Sequence, residues 1–410
     1  MLSLISSMLR LFLVSFLMWG IGTTQAQPAS EIVITQDNVQ QLQLVRIIRA
    51  HEDAVRDIVF SPDGRYIVTA SDYLDNTVRV WRIDSGERIA EMNAHVSGVL
   101  ALAYHPRRNL IASAGGDGMI RLWDVTLSQV LRTFSGHDGS VLDVAFNPEA
   151  TILASAGEDG SVQLWDVARG NRLQLIDDNL GAARRVMFSA DGAQLMILYC
   201  HATVIRSVEG GKLVDKLDIE LFGTQTAIAE NGAATRIVVS DGESVRWWDA
   251  RTFDETHPPI PVTNINDLAF TLEDDVLAGS KLDDGAIHLW DAETGEQLVT
   301  LPEHRLGAYS IAFNPAGTLL AVGGGDGTVL VWAVGDGAVC HVIARATANL
   351  RAEPGTQFRV EDVLRHNVGA RAILRTIDDE GFTWWQVENG LWIRDDAVVD
   401  EGNCDDLPIQ

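Results

Sequence analysis

Residues 136–166 read GHDGSVLDVAFNPEATILASAGEDGSVQLWD, and this stretch is one copy of a unit that recurs along the chain. The copies are marked by tryptophans separated by 42, 42, 83, 42 and 42 residues: Trp81, Trp123, Trp165, Trp248, Trp290 and Trp332. The long gap spans one copy without its indole, in which Arg206-Ser207 takes that place. A period of about 40–45 residues with many short apolar segments is typical of a propeller blade. The sequence therefore predicts an all-β fold, a seven-bladed β-propeller.

Tight turns punctuate each copy. An Asp-Gly pair or a close variant precedes most of the marker tryptophans by six residues, as in Asp117-Gly118 and Asp159-Gly160. Such pairs tolerate the positive φ of hairpin turns. A histidine opens four of the copies, nine residues ahead of an aromatic residue. Each copy thus predicts four short antiparallel strands.

These features resemble the WD-repeat family, in seven copies over residues 41–335. In that family a His, a Ser or Thr, an Asp and the Trp form a hydrogen-bonded tetrad inside a blade. The matching residues are His51, Thr69, Asp75 and Trp81 in blade 1, His95, Ser113, Asp117 and Trp123 in blade 2, and His137, Ser155, Asp159 and Trp165 in blade 3. Blade 7 has His304, Asp326 and Trp332 but carries Val322 in place of the hydroxyl, and blades 4 to 6 lack the histidine. The resemblance implies a structural role for these networks, and blade 4 is expected to be the loosest.

The segment Gln43–Arg49 precedes the first histidine with no earlier blade in sequence. We expect it to supply the outer strand of blade 7, which would close the ring and remove an exposed sheet edge.

The N-terminus predicts export. Residues 1–26 combine one basic residue, an apolar stretch and small residues before Gln27, as in a secretory signal peptide, and residues 27–40 form a lead-in. An uncleaved N-terminal anchor is the alternative, although the apolar segment is short for one. No later apolar run is long enough to span a membrane. The formal net charge of −26 argues against nucleic acid or an anionic membrane as partner. The expected location is secreted or extracytoplasmic.

The composition changes after residue 340. An Asn-Leu-Arg start at Asn349, a Pro-Gly turn, a Trp pair and a Gly-Leu-Trp strand resemble the bacterial Src-homology-3-like family over residues 340–400, followed by a tail at 401–410. The resemblance implies a small β-barrel that binds a peptide or a cell-wall component. Its candidate ligand-binding aromatics are Phe358, Trp384, Trp385 and Trp392, although packing accounts equally well for each ring.

Three cysteines occur in the chain. Cys200 lies in an apolar strand and reads as a buried hydrophobe. Because a barrel of this kind begins and ends close together, Cys340 and Cys404 are expected to form a disulfide in an oxidising compartment.

Sequence motifs for catalysis, nucleotide binding or metal ligation are absent from the chain. The positions predicted to line the central channel are Asp57, Ala101, Asp143, Arg185, Gln225, Asp267 and Ser310. Their three acids come from blades 1, 3 and 6, which is too dispersed to indicate a metal cage. No metal or cofactor is expected, and the protein is not expected to be an enzyme. A propeller hydrolase or metal-site protein with a site at the channel mouth remains the alternative.

Two hairpins with apolar tips suggest a partner site on the propeller face. Tyr73 and Leu74 lie in the hairpin of blade 1, and Leu282 lies in that of blade 6. Between them Gly323–Gly325 of blade 7 would floor a shallow cleft, unless both hairpins fold onto their own blades. With Asp57, Asp143, Arg185 and Asp267 nearby, this face is the predicted docking site of an exported interaction scaffold for a protein or peptide partner, which includes a cell-wall peptide.

Overall fold

The computed structural model describes residues 32–200, 202–217, 227–302, 304–335, 340–344, 348–351, 360–364, 369–377, 383–387, 392–394 and 398–402. The expected signal peptide at residues 1–26 lies outside them. In these residues the chain is almost entirely β, and its one helix is the 3-10 turn Val39–Gln41. No helix within the described ranges is long and apolar enough to cross a membrane.

Residues 42–334 form repeated antiparallel sheets, which we number in chain order. Their strands are β1 (Leu42–Arg49); β2 (Val55–Phe60), β3 (Tyr66–Ser71), β4 (Thr77–Arg82) and β5 (Arg88–Asn93) in sheet 1; β6 (Val99–Tyr104), β7 (Leu110–Gly115), β8 (Met119–Asp124) and β9 (Gln129–Ser135) in sheet 2; β10 (Val141–Phe146), β11 (Ile152–Gly157), β12 (Ser161–Asp166) and β13 (Arg172–Asp177) in sheet 3; β14 (Ala183–Phe188), β15 (Gln194–Tyr199), β16 (Thr203–Ser207) and β17 (Leu213–Leu217) in sheet 4; β18 (Ala227–Glu230), β19 (Arg236–Ser240) and β20 (Val245–Asp249) in sheet 5; β21 (Ile265–Phe270), β22 (Val276–Lys281), β23 (Ile287–Asp291) and β24 (Gln297–Leu301) in sheet 6; and β25 (Ala308–Phe313), β26 (Leu319–Gly324) and β27 (Thr328–Val334) in sheet 7.

The first strands of these sheets contact one another in a closed order: β2, β6, β10, β14, β18, β21, β25 and again β2. Most side chains of the second and third strands of each sheet are buried. The outer strands of sheets 1 to 4 expose most of their side chains to solvent. Clusters of buried aliphatic and aromatic side chains fill the space between consecutive sheets. Repeated four-stranded sheets with this packing are consistent with the expected β-propeller.

Strand β1 completes sheet 7. It pairs antiparallel with β27, from Leu42 opposite Val334 to Arg49 opposite Thr328, and the sheet order is β1-β27-β26-β25. The predicted closing strand is therefore present. The segment before it is also anchored, because Ile34 and Val39 are buried and the backbone N–H of Ile34 donates to the Gly317 carbonyl.

A separate seven-stranded sheet begins at Cys340. Its strands are β28 (Cys340–Ala344), β29 (Ala348–Arg351), β30 (Val360–Leu364), β31 (Gly369–Ile377), β32 (Thr383–Val387), β33 (Trp392–Arg394) and β34 (Val398–Gly402), and their order in the sheet is β30-β29-β33-β32-β31-β28-β34. Strand β34 pairs with β28 so that Gly402 lies opposite Cys340. Cys404 lies outside the described residues, and its bridge to Cys340 stays a prediction.

Candidate functional site

Hydrogen-bonded networks occupy the predicted tetrad positions. In sheet 2, His95 Nδ1 lies 2.8 Å from Asp117, its Nε2 lies 2.8 Å from Ser113 Oγ, and Trp123 Nε1 donates to that Oγ over 2.9 Å. The same bonds join His51, Thr69, Asp75 and Trp81 in sheet 1, and His137, Ser155, Asp159 and Trp165 in sheet 3. The hydroxyl therefore accepts from the indole, and the imidazole bridges the hydroxyl to the carboxylate.

The electrostatics of the tetrads fit a neutral imidazole beside an ionised carboxylate. Burial lowers the pKa of His51, against the hydrogen bond and charge of Asp75. Burial acts to raise the pKa of Asp75, but hydrogen bonds from His51 and Thr77 and the charge of Arg79 lower it on balance. A satisfied polar network of this kind specifies packing.

Sheet 7 carries an incomplete tetrad. His304 Nδ1 lies 3.2 Å from Asp326, but its Nε2 faces the Val322 carbonyl at 3.2 Å. Trp332 Nε1 is buried and finds no hydrogen-bond partner in the described part of the chain. The hydroxyl missing from the sequence thus leaves the indole N–H unsatisfied.

Sheet 4 replaces the tetrad with an ion pair that the sequence did not reveal. The guanidinium of Arg206, at the expected tryptophan position, binds the Asp178 carboxylate, with Nε 3.0 Å from Oδ2. The hydroxyl of Tyr199 donates to the same oxygen over 2.9 Å, and Arg206 Nη1 also donates to the Gly211 carbonyl. The expectation that this blade is the loosest has no support in these contacts.

The channel-facing aspartates connect neighbouring sheets. Each follows a register shift near the start of a first strand, between Val55 and Asp57 in sheet 1, for example. Asp57 accepts from the backbone N–H of Leu102 in sheet 2 over 2.6 Å. Asp143 accepts equivalently from Val186 in sheet 4, and Asp267 from Ile311 in sheet 7, over 2.8 Å and 3.0 Å. Each carboxylate therefore fixes the next first strand in the closed order.

Only one cation, among the described residues, lies in the midst of these acids. The Arg185 guanidinium lies 4.0 Å from Asp143 and donates to the Asn266 carbonyl over 3.2 Å. Burial, followed by the charge of Asp267, raises the pKa of Asp57 to about 7. Burial likewise raises the pKa of Asp143 to about 6, against the charge of Arg185, and raises that of Asp267.

The acids are more closely grouped than the sequence predicted, yet their oxygens are engaged in hydrogen bonds. Ser310 Oγ donates to Asp57 over 2.9 Å and lies 3.2 Å from Asp267. Among described residues there is no group of three or more His, Cys, Asp or Glu side chains arranged to hold a metal ion. Gln225 lies outside the described residues. The arrangement holds strands together rather than presenting a reactive carboxylate.

A cavity of about 110 Å³ lies at the mouth of the channel. It is lined by Arg56, Leu100, Leu142, Arg184, Arg185, Asn266 and Tyr309, which come from six sheets. The guanidinium of Arg56 stacks 4.9 Å from the centre of the Tyr309 ring and lies 3.6 Å from Asp72. Most of these residues directly precede the predicted channel positions, and sequence reasoning missed them.

Exposed apolar side chains lie at the same end of the sheets. Tyr73 is 58% exposed and Leu74 is 86% exposed, as expected for hairpin tips. Leu282 is half-buried and therefore less exposed than these two residues. Val96 at 81% and Leu306 at 68% were missed, although each closely follows a tetrad histidine in sequence.

The predicted glycine floor is wrong. A Cβ at Gly323 would lie 2.7 Å from Val55, and one at Gly324 would lie 2.1 Å from His304. A Cβ at Gly325 would lie 2.1 Å from the Leu306 carbonyl. These glycines are required by close packing, so they do not leave an open cleft between the hairpins.

The aromatic residues proposed for the second domain are core residues where they are described. Trp384, Trp385 and Trp392 are all buried. The two faces of β32 are therefore both covered at the Trp pair, and the three rings take the packing role that was the alternative to ligand contact. Phe358 lies outside the described residues.

Comparison with known proteins identifies the repeats. The family described as "WD domain, G-beta repeat" matches residues 42–82, 86–124, 128–166 and 295–333. These segments contain the first three strands of sheets 1, 2, 3 and 7, which are the four sheets with a tetrad histidine. The matches support the WD-repeat propeller family.

Individual relatives match only short stretches. One of the subunits of chromatin assembly factor 1 from Gallus gallus is 32% identical over 82 residues, covering 20% of this chain and 14% of the relative. Striatin-3 of Rattus norvegicus is 33% identical over 78 residues, covering 18% and 10%. Nuclear distribution protein PAC1 of Yarrowia lipolytica is 38% identical over 78 residues, covering 17% of each chain. This chain therefore spans less than a fifth of the length of these relatives.

Proposed function

We propose that the protein is an exported, non-enzymatic scaffold in which the seven sheets are blades of a seven-bladed WD-repeat propeller that docks a protein partner. The observation that carries the proposal is the group of exposed apolar side chains around the channel mouth: Tyr73, Leu74, Val96 and Leu306. Exposed aromatic and aliphatic residues around a depression are common at protein interfaces. The engaged channel carboxylates favour binding over catalysis at this end.

The C-terminal sheet is proposed to be a Src-homology-3-like barrel that adds a second binding surface for a peptide or cell-wall component. Export is proposed from the apolar, weakly basic character of residues 1–26. An oxidising compartment would also allow the Cys340–Cys404 bridge, which is supported by the pairing of Cys340 with Gly402. Non-reducing mass spectrometry of the exported protein should find this bridge, and two free thiols would contradict it.

The docking proposal is tested by affinity capture from the extracytoplasmic fraction with the full chain as bait. The double variant Tyr73→Ala/Leu74→Ser should weaken partner binding by about thirtyfold or more, since two interface anchors that contribute about 1–2 kcal/mol each remove at least about 2 kcal/mol together. The matched control is Leu213→Ser, which removes a 59% exposed leucine from the outer strand of sheet 4. Equal capture by the double variant and the wild type would contradict docking at this end.

A further inference from the structure

Each of the seven sheets in residues 42–334 has an outer edge with which a further strand could pair. An open edge invites pairing with another chain, and proteins protect such edges with prolines, charged side chains or covering segments. The outermost strands of sheets 1 to 7 are β5, β9, β13, β17, β20, β24 and β1. The protection of each edge therefore indicates where a second chain could add.

The edges of sheets 5, 6 and 7 are covered by other parts of the chain. In sheet 5, Ile260 exchanges two backbone hydrogen bonds of 2.9 Å with Val245 of β20, and prolines flank Ile260 on both sides. In sheet 6, the 3-10 turn Val39–Gln41 lies against β24, and Gln40 Nε2 donates to the Leu298 carbonyl. In sheet 7, β1 contacts β31 and β34 of the C-terminal sheet. These three edges are therefore occupied over at least part of their length.

The outer strands of sheets 1 to 4 have no described strand beyond them, and one position distinguishes sheet 3 from the other three. This position directly precedes the buried residue near the end of each outer strand. It holds Glu91 in sheet 1, Thr133 in sheet 2, Leu175 in sheet 3 and Lys216 in sheet 4, opposite Arg79, Arg121, Gln163 and Val204 of the adjoining strands. Ile47 of sheet 7 is also apolar there, but its strand contacts the C-terminal sheet. Among the described open edges, sheet 3 therefore has the unprotected one.

The side chains of β13 alternate between two environments. Gln174 faces sheet 4, where a Cβ added to Gly211 would collide with its side chain. Leu173 and Leu175 point to the opposite face of the strand, and each is 51% exposed. The charged residues of β13 stand at its two ends. The middle of this edge is therefore an apolar stripe that a second strand could cover.

A second copy of β13 fits this edge by symmetry. Two identical strands related by a two-fold axis perpendicular to the sheet run antiparallel, which is also the pairing of β13 with β12. With the axis at Gln174, Leu173 of each copy lies directly opposite Leu175 of the other, so that four exposed leucines meet on one face. With the axis at Leu175, Leu173 would instead lie opposite the carboxylate of Asp177. The axis at Gln174 is therefore favoured.

The surroundings of β13 allow two acidic molecules to approach each other. The whole chain has 57 acidic and 31 basic residues, whereas β9, β13 and β17 together have two acidic and three basic residues. Repulsion between copies is therefore weaker at this side of the molecule. Val130, Leu131, Leu213 and Val214 of the neighbouring outer strands are also exposed and extend the apolar surface. This extension matters because a stable interface buries about 800 Å² per partner.

We propose that β13 pairs with β13 of a second copy of this chain, with Gln174 on the two-fold axis. The two four-stranded sheets then form one continuous sheet of eight strands. This inference concerns the outer edge of sheet 3 and does not depend on the proposed docking function.

Sedimentation velocity of the purified protein between about 1 and 100 μM tests the dimer, since an interface near the lower size limit dissociates in this range. The wild type should change from monomer to dimer as its concentration rises. Leu175→Lys introduces the residue that sheet 4 carries at this position, and it should raise the dissociation constant of the dimer at least about tenfold. A wild type that stays monomeric, or a dimer that Leu175→Lys leaves intact, would overturn the proposal.

The matched control is Ile89→Lys, which adds the same charge to the outer strand of sheet 1, where Ile89 is 43% exposed. This variant should dimerise as the wild type does. Loss of the dimer with Ile89→Lys would place the interface elsewhere and contradict pairing through β13. Thermal unfolding of both variants verifies the fold.

Cysteine cross-linking tests the register of the two strands. Proteins with Leu173→Cys and with Leu175→Cys, carrying tags of different mass, are mixed and treated with oxidised glutathione. Because these positions face each other across the axis, the linked dimers should contain one chain of each kind. The wild type, with its three native cysteines, gives the background. Linkage mainly between chains of the same kind would overturn the proposed pairing.

Discussion

Sheet 1 contains two buried carboxylates whose acidities have moved in opposite directions. Asp75, in the hairpin between β3 and β4, keeps a lowered pKa although burial opposes it, because His51, Thr77 and Arg79 surround it with donors and positive charge. Asp57, on β2, has a pKa raised to about 7 because burial and Asp267 outweigh its backbone hydrogen bond and Arg185. The difference shows that depth of burial and surrounding charge together decide the ionisation of a carboxylate when hydrogen bonds are present in both places.

The two networks therefore respond oppositely to pH. The tetrad stabilises the folded state at neutral pH, and its contribution is lost as pH falls, first when unfolded histidines take up protons and then when Asp75 is protonated. The channel acids stabilise it most in their protonated form, so their contribution is lost as pH rises from the unfolded pKa near 4 towards about 7.

The largest expected effect comes from removing the cation of the channel. Arg185→Met should lower the free energy of unfolding by about 3 kcal/mol at pH 8, because three buried carboxylates lose the positive charge among them. Chemical denaturation at pH 8 and pH 5 measures this effect. The loss should shrink at pH 5, where Asp57 and Asp143, with pKa values raised to about 7 and about 6, are mostly protonated, and a loss independent of pH would break the comparison.

Removal of a tetrad hydroxyl should have the next largest effect. Ser155→Ala leaves His137 Nε2 and Trp165 Nε1 without their shared partner and should cost about 2 kcal/mol at pH 7. The control Ser85→Ala removes an exposed turn hydroxyl and should cost less than about 0.5 kcal/mol. Similar midpoints of denaturant unfolding for the two variants would show that the tetrad adds little stability.

The pH profile of a channel variant sharpens the contrast directly. Asp57→Asn cannot ionise, so its cost in unfolding free energy should decrease by about 1–2 kcal/mol between pH 4 and pH 7.5, given that part of the wild-type carboxylate faces the channel. Asp75→Asn is the matched control. The unfolding free energy that Asp75→Asn costs should stay constant in the upper part of this pH range. It should decrease towards low pH, because the ionised Asp75 of the wild type loses its stabilising effect there. Parallel profiles for the two variants would remove the distinction between the networks.

The smallest expected effect is a gain of stability in sheet 7. Val322→Thr offers a hydroxyl to the unsatisfied Trp332 Nε1 and to His304, and should raise the free energy of unfolding by about 1 kcal/mol. The control is Ile197→Thr, at the corresponding position of sheet 4, where Arg206 stands in place of the tryptophan. This variant should lower the free energy of unfolding because the new hydroxyl meets no indole N–H. A lower thermal midpoint for Val322→Thr than for the wild type would show that the orphaned indole cannot reach the new hydroxyl.

The predictable and unpredictable parts of the molecule differ in how far apart the interacting residues lie in sequence. The tetrads could be predicted because His95, Ser113, Asp117 and Trp123 keep fixed offsets within one repeat. The ion pair of Asp178 with Arg206 follows no such offset pattern, since a different chemistry replaced the indole. The channel mouth brings together Arg56, Arg184 and Tyr309 only through the closed order of the first strands.

Elevation of the Asp57 pKa could not be predicted either. The pKa of Asp57 is raised by burial in the closed ring and by the charge of Asp267, against the charge of Arg185, and both of these residues enter from other sheets. The sequence identified these channel positions by counting from each histidine, but counting does not give the distance between side chains across a ring.

The pairing of β1 with β27 has a consequence for biosynthesis. A chain made from its N-terminus exposes residues 42–49 long before residues 328–334 exist. Strand β1 cannot pair with β27 until the strands of sheets 1 to 6 have been made, so we expect closure of sheet 7 to come late and to be slowed by this long-range β pairing. Until then the apolar edge of β1 is open to chaperones, to proteases and to other nascent copies, and the yield of folded protein depends on how long that interval lasts.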